Sequence, residues 1–327
     1  MSWIKKGNAR ESGPLVAINH KPRVLPRSPH FGEQFFIEAK RQGRRVVYWE
    51  KNVKPDIILM IDWTLDFELL EHYRSQGVKV VLRMDGIGVK DGKKPEKDNR
   101  VYNTFLKSDA VIFQSKFCQE IWEKVFTLRL PSTIILNGAD ESIFSQEARP
   151  KNFGFPHFLV TAARWRPWKG LDQVVETFLK IDREDLGLVV IGANAEVPKH
   201  PRIVATGKLG HKQMAGVFRA ADLFIYLPWH EWCPKVVAQA LVAGLPVVCT
   251  YKGGTRELVQ DCGIIVHGPK DEVVPFAPNP ANIEEAVQAV NTLLAKQERC
   301  RERQDLFLST TVNNYFDFLQ KVLDKAV

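Results

Sequence analysis

At 327 residues, 45% hydrophobic and 26% charged, the chain is long enough for two ordinary domains and too apolar to be disordered. No apolar run reaches the roughly eighteen residues of a membrane span, and residues 1–6 lack the apolar core of a secretory signal. The net charge of +8 is uneven, with +6 in residues 1–150 and clusters at 5–27 and 90–100, which read either as solvated loops or as a peripheral contact with anionic lipid.

In chain order, short apolar strands alternate with helices. Strands are predicted over 15–19, 46–49, 57–61, 78–82, 110–114 and 134–136. A proline-bearing loop over 21–30 leads into a helix opened by Phe31 and Gly32. Further helices are predicted over 67–76, stopped by Gly77, over 99–107, and from a Ser115 cap to 125. The strand over 78–82 runs into Arg83 and Asp85. Residues 145–156, with Pro150, Gly154 and Pro156, read as a linker.

A second series follows. A strand over 158–162 leads through Arg164 and Lys169 into a helix with Leu171, Val174, Val175, Phe178 and Leu179 on one face. Strands over 188–191 and 203–206 end at Gly192 and Gly207, and a helix covers 211–219. After a loop at 267–280, helix is expected over 282–297, 299–308 and 312–326. Such alternation predicts α/β architecture with parallel sheets covered on both faces. No G-x-G-x-x-G follows the first strand, so a dinucleotide fingerprint is absent.

Between these lies the most informative stretch, residues 228–266. A strand over 223–227 is followed by Glu231, Trp232, Cys233 and Pro234. Pro234 suits a first helical position, Val236, Val237, Ala240 and Leu241 form one helical face, and Gly244 closes the helix. A strand over 247–250 then meets Gly253 and Gly254, and another helix starts near Arg256 with Glu257 in its first turn. Helix N-termini offer free N–H groups and partial positive charge to an anion such as a diphosphate. Carboxylates beside them accept hydrogen bonds from sugar hydroxyls, so the pattern describes a nucleotide-sugar site. The five cysteines make no C-x-x-C pair and no zinc-like spacing with His, which favours a reduced, cytoplasmic setting. Cys233 has no locally placed His to activate it as a nucleophile. The basic charge comes with no nucleic-acid-binding motif, and no such partner is expected.

The second half resembles the nucleotide-binding domain of glycosyltransferase family 4, retaining enzymes of the GT-B fold. The resemblance rests on Arg164, Lys169, Gly170, Gly192, Gly207, Asp222, Glu231, Ala240, Gly244, Gly253, Gly254 and Glu257 in the family's order. It implies two Rossmann-like domains facing across a cleft. Residues 1–148, joined by a final helix at 311–327, would take the acceptor, and residues 152–310 the donor. It implies Arg164 and Lys169 on the donor diphosphate and Glu231 on the sugar hydroxyls. Gly253, Gly254 and Gly32 would approach sugar and phosphate closely. Trp232, Cys233, Pro234, Gly192 and Gly207 would complete the donor site. The expected activity is metal-independent, cofactor-free transfer of a hexose from UDP- or GDP-hexose to a saccharide, lipid-linked or protein acceptor, with retention. Two positions depart from the family. Gln239 stands where the second acid of E-x7-E would hold the ribose, and a catalytically degenerate sugar-nucleotide-binding protein is the alternative that this suggests. Where the family often carries a His after its fourth N-terminal strand, this chain offers Arg83 or Asp85. An epimerase or phosphorylase of the same fold is a third reading.

Overall fold

The computed structural model describes residues 12–19, 30–61, 66–87, 95–145, 153–268 and 278–327. The basic residues at 5–11, 20–29 and 88–94, and the linker residues 146–152, lie outside them.

In the first half, β1 (Ser12–Ile18), α1 (Phe31–Arg41), β2 (Arg44–Tyr48), β3 (Ile57–Met60), α2 (Phe67–Ser75), β4 (Lys79–Met84), α3 (Pro95–Phe105), β5 (Ala110–Phe113), α4 (Lys116–Val125), β6 (Ser132–Ile134) and α5 (Glu141–Phe144) follow one another. In the second half come β7 (His157–Ala162), α6 (Leu171–Leu179), β8 (Leu186–Ile191), β9 (Ile203–Gly207), α7 (His211–Ala220), β10 (Leu223–Tyr226), α8 (Lys235–Val242), β11 (Val247–Thr250), α9 (Thr255–Val259), β12 (Gly263–Val266), α10 (Ile283–Lys296) and α11 (Leu308–Leu323).

The strands form two six-stranded sheets, ordered β2-β1-β3-β4-β5-β6 and β12-β11-β10-β7-β8-β9. Neighbouring strands run parallel throughout. Strands such as Ile57–Met60, Ala110–Phe113 and Leu223–Tyr226 are buried at every position. Helices cover both faces of each sheet, which is why these strands read as continuous apolar runs. In each sheet the chain reverses its direction of winding once, between β1 and β3 and between β7 and β10. A parallel sheet opens a crevice at the carboxyl ends of its strands there.

The last helix leaves the second sheet's surroundings and packs on the first. Phe35 of α1 stacks on Phe316 at 5.9 Å, and Tyr315 lies edge-on to Phe35 at 5.5 Å. Val312, Phe316 and Leu319 share a core with Val16, Ile18 and Leu59. Phe307, the residue before α11, bridges to Ala139, and the Leu308 N–H donates to the Ala139 carbonyl.

Several local expectations are corrected. Of the helix expected over 299–308, Leu308 opens α11, and residues 299–307 are instead an extended stretch with one 3-10 turn at Gln304–Leu306. Its side chains bond outward instead: Arg299 donates to the carbonyls of Ala221 and Ala243, and fully buried Arg303 to that of Leu258. Leu179 is 45% exposed, because the buried face of α6 ends one residue earlier, at Phe178. The sixth strand is Ser132–Ile134, set by pairing with β5 and not by the apolar residues that follow. Pro234 caps α8 from outside. Cys262 and Cys300 form a disulfide across 38 residues, against the expectation of reduced cysteines.

Candidate functional site: a two-chambered cleft

The carboxyl ends of both sheets face one cleft with two chambers. The first, about 620 Å³, is lined by Phe31, Arg83, Asp85, Gln114 and Asn137 on one side and by Arg166, Lys169, Tyr226, Glu231, Trp232, Cys233 and Pro234 on the other. The second, about 630 Å³, is walled by Ile191, Gly192, Lys208, His211, Met214 and Gln239. Five residues line both chambers and mark the neck between them: His30, Ala163, Arg164, Lys235 and Val236.

Lys169 and Glu231 are held face to face. Lys169 ends a 3-10 turn, Pro167–Lys169, that closes on Gly170 in the left-handed conformation at φ +67°. A β-carbon at Gly170 would run into the Leu227 carbonyl, so only glycine lets this turn lie against the end of β10. The turn aims the Lys169 ammonium at the Glu231 carboxylate, and the two form an ion pair. The Tyr226 hydroxyl donates to the same Glu231 oxygen at 3.1 Å and accepts from Lys169 at 3.3 Å. Burial raises the Tyr226 pKa, so the phenol stays a neutral donor.

The loop carrying Glu231 is gripped from both halves of the chain. The Trp229 N–H donates to the Trp168 carbonyl and the Gly254 N–H to that of Glu231. Ser115 donates to the Trp232 carbonyl at 2.6 Å, and the Asn137 amide to that of Cys233 at 2.8 Å. The Trp232 indole packs on Phe117 with ring centres 5.4 Å apart, over Gly86, where a β-carbon would occupy the indole's place. Cys233 is buried, and burial pushes its thiol up to about 12, so it is protonated at neutral pH.

Arg83 and Asp85, left as alternatives by the sequence, both line the first chamber in different roles. Arg83 is buried and fully engaged. It pairs with Asp85, donates to the Tyr315 hydroxyl at 3.1 Å and Asn137 Oδ1 at 2.9 Å, and lies over the Phe31 ring at 4.1 Å. Burial opposes its charge, but Asp85 and Tyr315 more than offset that and raise its pKa. The Asp85 side chain is 56% exposed and also accepts from Gln114 at 3.2 Å, so it is the group presented to the chamber.

Arg164 is exposed at the neck, and Gly192 and buried Gln239 line the second chamber. Four glycines take other places. Gly32 is the second residue of α1 and not part of a loop, and Gly207 ends β9 with open space beside it; neither lines a chamber. Gly253 and Gly254 lie beneath the Glu231 and Trp232 backbone, where β-carbons would collide with it, so they shape the acidic loop from behind. Glu257 also departs from the expected sugar contact. Its carboxylate accepts from the backbone N–H groups of Lys116 at 2.7 Å and Phe117 at 2.9 Å, capping α4 in the other half of the chain.

Sequence reasoning missed Lys235, Arg166, His30 and His211. Lys235 carried a signal: a cation in the first turn of a helix opposes the helix dipole and calls for another partner. Its ammonium donates to Gln34 of α1 at 3.0 Å. Burial, reinforced by nearby Arg83, pulls its pKa down to about 8. The His211 pKa is lowered by burial and then by Lys235. Among the described residues no three His, Cys, Asp or Glu side chains gather as metal ligands do, and no helix is long and apolar enough to cross a membrane.

Residues 156–296 match the family model described as glycosyl transferases group 1. The GDP-mannose-dependent alpha-mannosyltransferase of Mycolicibacterium smegmatis is 33% identical over 84 residues, 24% of this chain and 22% of its own length. The chain thus matches less than a quarter of that relative. Among solved structures, the Anabaena protein HepE in complex with UDP-glucose has a TM-score of 0.64 at 14% identity, over 94% of this chain and 99% of that one. WaaG, a glycosyltransferase involved in lipopolysaccharide biosynthesis, has a TM-score of 0.58 at 13% identity, over 95% of this chain and 98% of that one. At such identities the likeness is one of fold: the two parallel sheets facing across a cleft are the GT-B fold of glycosyltransferases.

Proposed function

We propose that the protein is a retaining glycosyltransferase that moves a hexosyl group from a nucleoside-diphosphate sugar to an acceptor hydroxyl. One observation carries this reading: two chambers of similar size joined by a neck with Arg164 and Lys235 on its wall. A nucleotide sugar has that form, with two neutral ends and a dianionic middle. The group 1 match over 156–296 supports the class, and the second chamber lies within that stretch apart from His30.

In this reading the nucleoside occupies the second chamber against Gly192 and Gln239, and the sugar the first against Glu231. The acceptor enters beside Asp85. The leaving diphosphate takes the acceptor's proton on the face it departs from, which retains the anomeric configuration. The protein supplies position and fixed positive charge where negative charge grows. Lys169 orients the Glu231 carboxylate, whose remaining lone pairs accept from sugar hydroxyls. The mycobacterial relative is GDP-mannose-dependent and HepE binds UDP-glucose. UDP- and GDP-hexoses are therefore the donors to try first.

Gln239 favours a second reading, binding without transfer. An amide both donates and accepts but carries no charge, so it holds a ribose diol less firmly than a carboxylate. A thermal-shift panel of UDP, GDP and their hexoses, followed by a donor-turnover assay, tests both. A ligand that binds the native state raises its melting temperature. A stabilising sugar nucleotide that is then consumed establishes transfer. Stabilisation without turnover, with turnover gained in Gln239→Glu, establishes the binding-only reading. A flat panel removes both.

A further inference from the structure

The neck between the chambers carries a cation that the sequence did not single out. The nature of its ligand rests on the nucleotide-sugar reading. Arg164 and Lys235 both line the two chambers, whereas Lys169 lines only the first and is ion-paired with Glu231. A molecule with one end in each chamber must thread its central linkage past the residues common to both. In a nucleotide sugar that linkage is the diphosphate. Lys235 also opens an eight-residue helix with its N–H groups directed toward the same cleft. We propose that Lys235, together with Arg164, binds the diphosphate at the neck, and that Lys235 takes up a proton when the diphosphate arrives.

The charges around Lys235 define the proton balance. From β4 and the residue beyond it come Arg83 and Asp85, from α1 Glu33 and the Gln34 carbonyl oxygen, and from α7 His211. Arg164 and His30 complete the neck. Burial and then Arg83 disfavour an ammonium there, while Asp85, which is paired with Arg83, and Glu33 favour it. Burial and Arg83 hold the lysine at about 8, so near that pH a large share of molecules carries a neutral amine. An arriving diphosphate adds two negative charges and favours the ammonium. The bound lysine then gains a proton from solvent, and no bond other than N–H is made.

Calorimetric titration at pH 8 in buffers of different ionisation enthalpy measures this uptake, with inorganic pyrophosphate, GDP and UDP as probes. The terminal phosphates of GDP and UDP are already deprotonated at that pH, whereas pyrophosphate still carries a proton, so for every probe the protein's share is read as the difference between the wild type and Lys235→Arg. The expected result is about half a proton more taken up per ligand by the wild type than by Lys235→Arg, and no difference between them at pH 6.5, where the lysine is already charged. Lys235→Arg should keep the affinity and lose the uptake, since a guanidinium is always charged. Lys235→Met should lose the uptake and weaken binding on the order of tenfold or more. Binding of GDP or UDP with no uptake, or with uptake unchanged in Lys235→Arg, overturns the proposal and leaves the nucleotide-sugar reading intact. Lysine-dependent uptake with pyrophosphate, with neither nucleotide binding more tightly than pyrophosphate, supports the lysine and removes the nucleotide reading. No binding of any probe overturns both.

Discussion

Lys169 and Glu231 form an ion pair at the wall of the first chamber, with the Tyr226 hydroxyl bonded to both. The pair comes from two separate loops, at the ends of β7 and β10, on either side of the point where the second sheet reverses its winding. Both side chains are largely sheltered from water, 20% and 10% exposed.

Removing Lys169 therefore has two effects, and removing Arg164 one. Lys169→Ala strands a sheltered carboxylate and should cost about 2–4 kcal/mol of stability as well as activity. Arg164→Ala should leave the urea midpoint unchanged, because that side chain is exposed, yet lower kcat/KM by on the order of 100-fold or more. Denaturation curves and donor turnover on both variants check this. Wild-type turnover in Arg164→Ala would remove it from the site.

Glu257 ties the halves together by capping α4 across the cleft. Glu257→Ala leaves two amide donors without their carboxylate and should destabilise the protein by about 1–2 kcal/mol. Hydrogen exchange should quicken at Lys116 and Phe117 specifically. Unchanged protection there would show that the cap contributes nothing.

The burial of Lys235 makes stability depend on pH in a defined window. Its folded pKa of about 8 lies below the ordinary 10.5, so between those values the unfolded chain binds more protons. Stability from this group thus rises with pH across that window, and the penalty is complete below pH 8. Lys235→Met should be more stable than the wild type by about 1–3 kcal/mol at pH 6–7, the partial exposure of the side chain setting the lower figure. The difference should fade toward pH 10.5. Melting curves over pH 6–10 measure it, and a pH-independent difference would mean that the lysine is not desolvated.

The Cys262–Cys300 bond joins the start of β12 to the segment that crosses to α11, closing a 38-residue separation. Thiol titration of the unreduced protein in denaturant should count the three free cysteines, and reduction should bring the total to all five. A Cys300→Ser variant should lose about 2–4 kcal/mol. A count of five without reductant would refute the bond.

The α/β class and most of the strands were legible because parallel strands buried on both faces must be apolar throughout, and their helices must be apolar on one side. The helix expected over 299–308 does not form up to 307, because Arg299 and Arg303 are used by the carbonyls just past α7 and α8 and within α9, which the chain meets only after folding. Leu179 shows the same limit in reverse, since spacing marks a face but not where the neighbouring layer ends.

In the site, sequence alone determined which chemical groups stand in the loops after β7 and β10 and on the helix that follows: Arg164, Lys169 and Glu231, then Gln239 within α8. Tertiary structure alone decided their partners. It set Lys169 on Glu231 and turned Glu257 from the cleft to the amides of α4. It also moved Gly253 and Gly254 behind the acidic loop and brought Lys235 to the neck beside Arg164. Local spacing fixes the direction of a side chain along its own helix or turn. The charge or carbonyl that it meets lies on another element, often more than a hundred residues away, and only the packing of the two sheets brings them within reach.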